Sequence, residues 1–154
     1  MRSRLDSPTN HKEKIMLRGL TTTTFHAADL NAASHWYSDL FGVEPYYVVP
    51  DAYIEFRIGD YSHEFGIVNA AYANPGQMDA PAGAVAYWAV DDVDAALATL
   101  LEKGATPYQP VITRGDGFIT AAVVDPFGNI LGIMYNQHYL DVLAGLSAGT
   151  AADA

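Results

Sequence analysis

The chain carries the same local pattern twice. Asp29-Leu30-Asn31-Ala32-Ala33 returns as Asp92-Val93-Asp94-Ala95-Ala96, 63 positions later. Gly42-Val43-Glu44-Pro45-Tyr46 returns as Gly104-Ala105-Thr106-Pro107-Tyr108 after 62, and Phe65-Gly66-Ile67 as Leu131-Gly132-Ile133 after 66. A near-constant offset over three fragments marks an internal duplication. A duplicated unit predicts a pseudo-two-fold axis, with equivalent positions of the two halves facing each other across it.

Length and composition limit what the repeats can build. At 154 residues the chain is a single domain large enough to bury a core without staples. Half the residues are hydrophobic and 17% are charged, as in a soluble globular protein. With no cysteine there is neither a disulfide nor thiolate chemistry, and a cytoplasmic location is expected. Arg2 and Arg4 are followed by no apolar run, so no secretory signal is expected, and no segment reaches the length of a membrane span. The net charge of −10 repels phosphate backbones, which argues against nucleic acid as a partner.

Hydrophobic periodicity gives the order βαβββ twice, an α+β organisation. Residues 1–15 read as a disordered leader, and 16–146 as one domain. Within it, repeat one spans 17–69, an Ala-, Pro- and Gly-rich connection 70–82, and repeat two 83–137. A short terminal helix over 138–146 and a disordered tail over 147–154 complete the chain. Asp29, and Asp91 or Asp92, have the chemistry of helix N-caps, while Gly42 and Gly104 stop the helices. Strands are expected at Leu17–His26, Glu44–Val49, Ala52–Ile58 and Ser62–Asn69, then at Ala84–Val90, Thr106–Thr113, Gly117–Val124 and Asn129–Tyr135.

Strand alternation then sorts side chains between two faces. Phe25, Phe65, Ile67, Ala86, Trp88, Leu131 and Ile133 point to the helices, and His63 should share their side. The other face collects Thr22, Thr24, His26, Glu64, Gly66, Val85, Tyr87, Gly132 and Met134. Its mixture of small and polar residues fits a solvated or ligand-filled pocket better than a dry core. Gly66 and Gly132 remove volume at equivalent points of the two halves, or alternatively relieve strand crowding.

The passages Phe25-His26-Ala27-Ala28-Asp29-Leu30, Trp36 to Val43, Tyr87 to Val93 and Val124 to Asn129 resemble the glyoxalase, bleomycin-resistance and extradiol-dioxygenase group, the vicinal oxygen chelate superfamily. The resemblance covers about residues 17–137. It implies that the two tandem βαβββ units form a half-open, cup-shaped mixed sheet, paired with a second copy in a homodimer. Members that use a metal place His, Gln or Glu on the first, fourth, fifth and eighth strands. By the same motifs those positions hold Thr22, Gly66, Val85 and Gly132, none of them a competent side-chain ligand for a catalytic divalent cation. No cofactor is therefore expected.

The leading expectation is a small organic ligand held in the cup without a metal, neutral or cationic given the acidic body. It would be sequestered, or processed by acid–base chemistry. Thr22, Thr24, Gly66, Val85, Gly132 and Met134 are the candidate ligand-binding residues, and His26, Glu64 and Tyr87 the candidate catalytic ones. Glu64 would orient the His26 imidazole and raise its basicity, and Tyr87 would donate a proton or stabilise an oxyanion. Alternatively His26 caps the helix entry and Glu64 is a rim carboxylate. Two further readings are a metal-dependent lyase, isomerase or dioxygenase with a site displaced to His26 and Glu64, and a non-catalytic dimeric module.

Overall fold

A computed structural model describes Met16 and residues 20–152 of the chain. The leader read at residues 1–15 lies outside them, as do Asp153 and Ala154. The first half runs β1 (Thr22–Ala27), α1 (Leu30–Phe41), β2 (Tyr47–Val49), β3 (Tyr53–Ile58) and β4 (His63–Asn69). A single 3-10 turn at Ala70–Tyr72 opens the connection. The second half runs β5 (Ala86–Ala89), α2 (Val93–Glu102), β6 (Thr106–Gly115), β7 (Phe118–Val124) and β8 (Ile130–Asn136), followed by α3 (Gln137–Ala152).

The duplication is visible in local chemistry before it is visible in topology. Asp29 accepts a hydrogen bond from the Ala32 amide at 2.9 Å, and Asp92 accepts one from the Ala95 amide at 3.0 Å. Each carboxylate satisfies an amide that the first helical turn leaves unpaired. Gly42 ends α1 in the left-handed conformation, with φ 68°, which a residue lacking Cβ adopts at little cost. Each half then folds into a four-stranded mixed sheet, ordered β1-β4-β3-β2 and β5-β8-β7-β6. The pairs β1–β4 and β5–β8 are parallel and the rest antiparallel.

Several boundaries differ from the sequence reading. β2 begins at Tyr47 rather than Glu44, because Pro45 has no amide hydrogen for the ladder. β5 is trimmed to Ala86–Ala89. α3 continues to Ala152, through the segment read as a tail. That segment is rich in alanine, whose helix propensity outweighs the cost of Gly149.

One apolar core serves both halves. The rings of Phe25 and Phe65 meet edge-on at 5.1 Å, and Trp88 from the second half lies 5.7 and 5.4 Å from them. Tyr37, Phe56, Phe65, Ile67 and Val123 are its largest fully buried side chains. Burying each contributes about 1.5–3 kcal/mol, with about 0.5–1.5 kcal/mol more for a well-placed aromatic pair. Among the described residues, no strand of one sheet is hydrogen-bonded to a strand of the other. Side chains bridge instead. Asn129 accepts from the His26 amide at 3.0 Å and donates to the His26 carbonyl at 2.8 Å, acting as a strand partner for β1. The Trp36 indole donates to the Lys103 carbonyl at 2.8 Å, and Lys103 pairs with Asp39.

Candidate functional site

The face of each sheet opposite its helix is fixed by register. Thr22, Thr24 and His26 on β1 lie beside Glu64, Gly66 and Val68 on β4. Across β4, Arg57, Glu55 and Tyr53 stand opposite the same three residues. In the second half Tyr87 is paired with Gly132, and Ala89 with Met134. The register keeps the residues grouped by alternation side by side in each sheet.

The two glycines do not leave empty space. A Cβ on Gly66 would lie 2.6 Å from the Tyr53 ring, and one on Gly132 2.6 Å from the Tyr87 ring. Each glycine is thus the floor beneath a tyrosine. Tyr87 extends further, its hydroxyl donating to Gln109 Oε1 at 3.3 Å.

Of the three candidate catalytic residues, His26 and Glu64 are not brought together. His26 is level with Val68, four residues along the parallel pair from Glu64, or about 13 Å at about 3.3 Å per residue. Glu64 instead accepts from the Thr22 hydroxyl at 3.2 Å and faces Arg57 at 3.7 Å. The backbone of His26 is held by Asn129. A metal shared by His26 and Glu64, or a proton passed directly between them, does not fit this spacing.

Space for a ligand opens at the seam between the sheets. A cavity of about 440 Å³ is lined by residues of both sheets, among them residues of β1 and β5, which do not pair. Thr23, Phe65, Ala86 and Trp88 line it, with Glu64, Tyr87, Val85 and Met134 among the residues expected from sequence. Thr22, Thr24, His26, Gly66 and Gly132 do not line it. Sequence reasoning missed Asp60, His63 and Tyr139. Strand alternation puts His63 on the helix side, but it is exposed at the start of β4 and reaches the cavity, 5.6 Å from the Tyr61 ring. Tyr139 arrives on α3 and donates to Asp60 Oδ2 at 2.9 Å. Burial, together with that bond, pushes its phenol pKa up to about 12.

The electrostatics of the cavity are one-sided. Asp60 and Glu64 are its carboxylates, and among the described residues no Lys or Arg lines it. Beside it, a polar chain crosses the open face of the first sheet. Glu64 meets Arg57, whose guanidinium carbon sits 4.1 Å from the centre of the Tyr46 ring. The hydroxyls of Tyr46 and Tyr53 both donate to Glu55. The Tyr46 phenol pKa is raised chiefly by that hydrogen bond, and that of Tyr53 chiefly by burial and then by the same carboxylate. Both therefore remain donors through the neutral range.

The Glyoxalase/Bleomycin resistance protein/Dioxygenase superfamily profile matches residues 19–133, well over half of the sequence. The chain belongs to this superfamily. Solved structures with the same fold include a glyoxalase-related enzyme from Fulvimarina pelagi, 20% identical over 79% of this chain and 90% of that one, with a TM-score of 0.62. A lactoylglutathione lyase from Agrobacterium tumefaciens is 17% identical over 76% and 92%, with a TM-score of 0.57. A mutant fosfomycin resistance protein from Listeria monocytogenes, complexed with Mn(II) and 1S,2S-dihydroxypropylphosphonic acid, is 17% identical over 79% and 92%, with a TM-score of 0.62. No curated protein matches the sequence.

A metal such as the Mn(II) of that complex does not fit the residues present here. Thr22, Gly66, Val85 and Gly132, which the resemblance puts in the ligands' place, offer no imidazole or carboxylate, and the two glycines are covered by rings. Among the described residues, no three His, Cys, Asp or Glu side chains are grouped to hold an ion. No described helix is long and apolar enough to cross a membrane.

Proposed function

We propose that this superfamily member binds a small neutral or cationic organic molecule in the seam cavity, without a metal at the superfamily's usual positions. The observation that carries the reading is the cavity itself. Its volume falls within the range of about 300–1,000 Å³ typical of small-molecule sites. Aromatic and apolar walls at Trp88, Phe65 and Met134 supply the burial, and Asp60 and Glu64 supply polarity of one sign. An anionic ligand would meet two carboxylates and neither a lysine nor an arginine among the described lining residues.

Binding rather than turnover is the activity the geometry favours. The pair expected to act as acid and base is split between two levels of the sheet, and Glu64 is occupied by Thr22 and Arg57. A homodimer and a cytoplasmic location belong to the same proposal, resting on the resemblance and the composition.

The test uses the two tryptophans. Trp88 lines the cavity and Trp36 does not. In a Trp36→Phe protein, emission from Trp88 should shift or quench with a ligand drawn from a library of neutral and cationic aromatic or amphiphilic compounds. The same compound should raise Tm, and Ala86→Phe, which fills the cavity, should abolish both effects. A ligand that raises Tm yet leaves Trp88 emission unchanged, and binds equally well to Ala86→Phe, would sink the proposal.

A further inference from the structure

A second feature of the open face lies outside the cavity and is independent of it. Glu55 is half-buried near the middle of β3, and the hydroxyls of Tyr46 and Tyr53 both converge on its carboxylate. Tyr47, level with Glu55 in the β2–β3 register, completes a third wall, its ring 6.3 Å from that of Tyr53 and tilted by 60°. Tyr46 and Tyr47 are about half exposed, at 46% and 51%, so the enclosure opens to solvent. Among the described residues, Glu55 makes no ion pair, because Arg57, two residues along the strand, is turned to Glu64 and the Tyr46 ring.

A carboxylate flanked by three electron-rich rings, and making no ion pair among the described residues, is matched by a soft organic cation. Ring faces attract an alkylated ammonium, and the carboxylate adds the opposite charge. The Arg57 guanidinium, 4.1 Å from the centre of the Tyr46 ring, shows that this ring face can hold a cation. A compact hydrated metal ion is the poorer match, because one carboxylate and two protonated phenols offer too few anionic oxygens. We propose that Tyr46, Tyr47, Tyr53 and Glu55 form a binding site for an alkylammonium group.

The experiment titrates the full chain with choline, and in parallel with 3,3-dimethylbutan-1-ol, its uncharged isostere, following tyrosine ring resonances by NMR. Choline should bind about ten-fold or more tightly than the isostere, consistent with the size of a cation–π contact reinforced by a charge. Glu55→Gln and Tyr47→Ala should each weaken choline about five-fold or more; Tyr47 is exposed enough that its truncation spares the fold. Arg57→Ala should tighten choline, because an internal competitor leaves the Tyr46 ring. Equal binding of the isostere, or no binding at millimolar choline, overturns the site. So does choline affinity unchanged in Glu55→Gln but accompanied by quenching of Trp88, which would place the cation in the seam cavity.

Discussion

The Tyr37 hydroxyl donates to Asp125 Oδ2 at 2.5 Å, tying the helix of the first repeat to the β7–β8 turn of the second. Both residues are buried. Asp125 also accepts from the amides of Phe127 at 2.9 Å and Asn129 at 2.8 Å, so one carboxylate shapes its turn and anchors the other half. Burial, and then the charge of Asp125, raises the Tyr37 phenol pKa well above its usual range. Tyr37→Phe leaves a buried carboxylate short of one donor and should cost about 1–3 kcal/mol in urea unfolding. Asp125→Ala strips the turn of its acceptor as well and should cost more.

Alkaline pH should weaken the fold in a defined window. The phenol pKa values of Tyr37, Tyr46, Tyr53 and Tyr139 are all raised in the folded chain, Tyr139 to about 12. The unfolded phenols release their protons near pH 10. Between those values the folded state holds more protons than the unfolded one, so stability falls as pH rises. It should be steady from pH 7 to about 9.5 and decline steadily above about 10. Unfolding midpoints across that range, together with phenolate absorbance, provide the check: ten tyrosines titrating as one group near pH 10 would contradict it.

The two ring-covered glycines should respond unequally to alanine. At Gly132 a Cβ would meet the Tyr87 ring at 2.6 Å and the Ala86 carbonyl at 2.9 Å, and the backbone cannot swing aside. Gly132→Ala should therefore cost about 1–3 kcal/mol, the usual range for overpacking. At Gly66 the nearest obstruction is the Tyr53 side chain, its hydroxyl bonded to Glu55. Gly66→Ala should cost less, and Tyr53→Ala in the same chain should relieve it. Thermal melts of the single and double variants test the order.

Divalent metal should be dispensable. Protein purified without chelator should carry well under one zinc, nickel, manganese or iron per chain, and EDTA should leave Tm unchanged. The reason lies in the donors: Thr22, Gly66, Val85 and Gly132 offer no imidazole or carboxylate. Stoichiometric metal that survives gel filtration would contradict this.

Much of the fold was legible because it is written in short-range chemistry. Asp29, Asp92 and Gly42 announce helix ends by their own hydrogen bonds and backbone preference, and the alternation around Phe25, Phe65 and Trp88 sets the register. The cavity was not legible. It arises where two sheets meet without pairing, and its contributors Asp60, His63 and Tyr139 come from turns, a strand end and a terminal helix that no strand pattern places. Glu55 was missed for a related reason. Between Ile54 and Phe56 it reads as the solvent side of an ordinary strand, and only the hairpin brings Tyr46 and Tyr47 beside it.

The rings over Gly66 and Gly132 also give the architecture a direction. A glutamate introduced at either position would strike a tyrosine before its carboxylate could reach a cation, and the Tyr53 ring is itself held down by Glu55. A single substitution at Gly66 or Gly132 therefore does not place a free carboxylate on this face. Each donor needs its covering ring moved or removed first. The open face thus admits changes to its rings more readily than side chains at its two glycines.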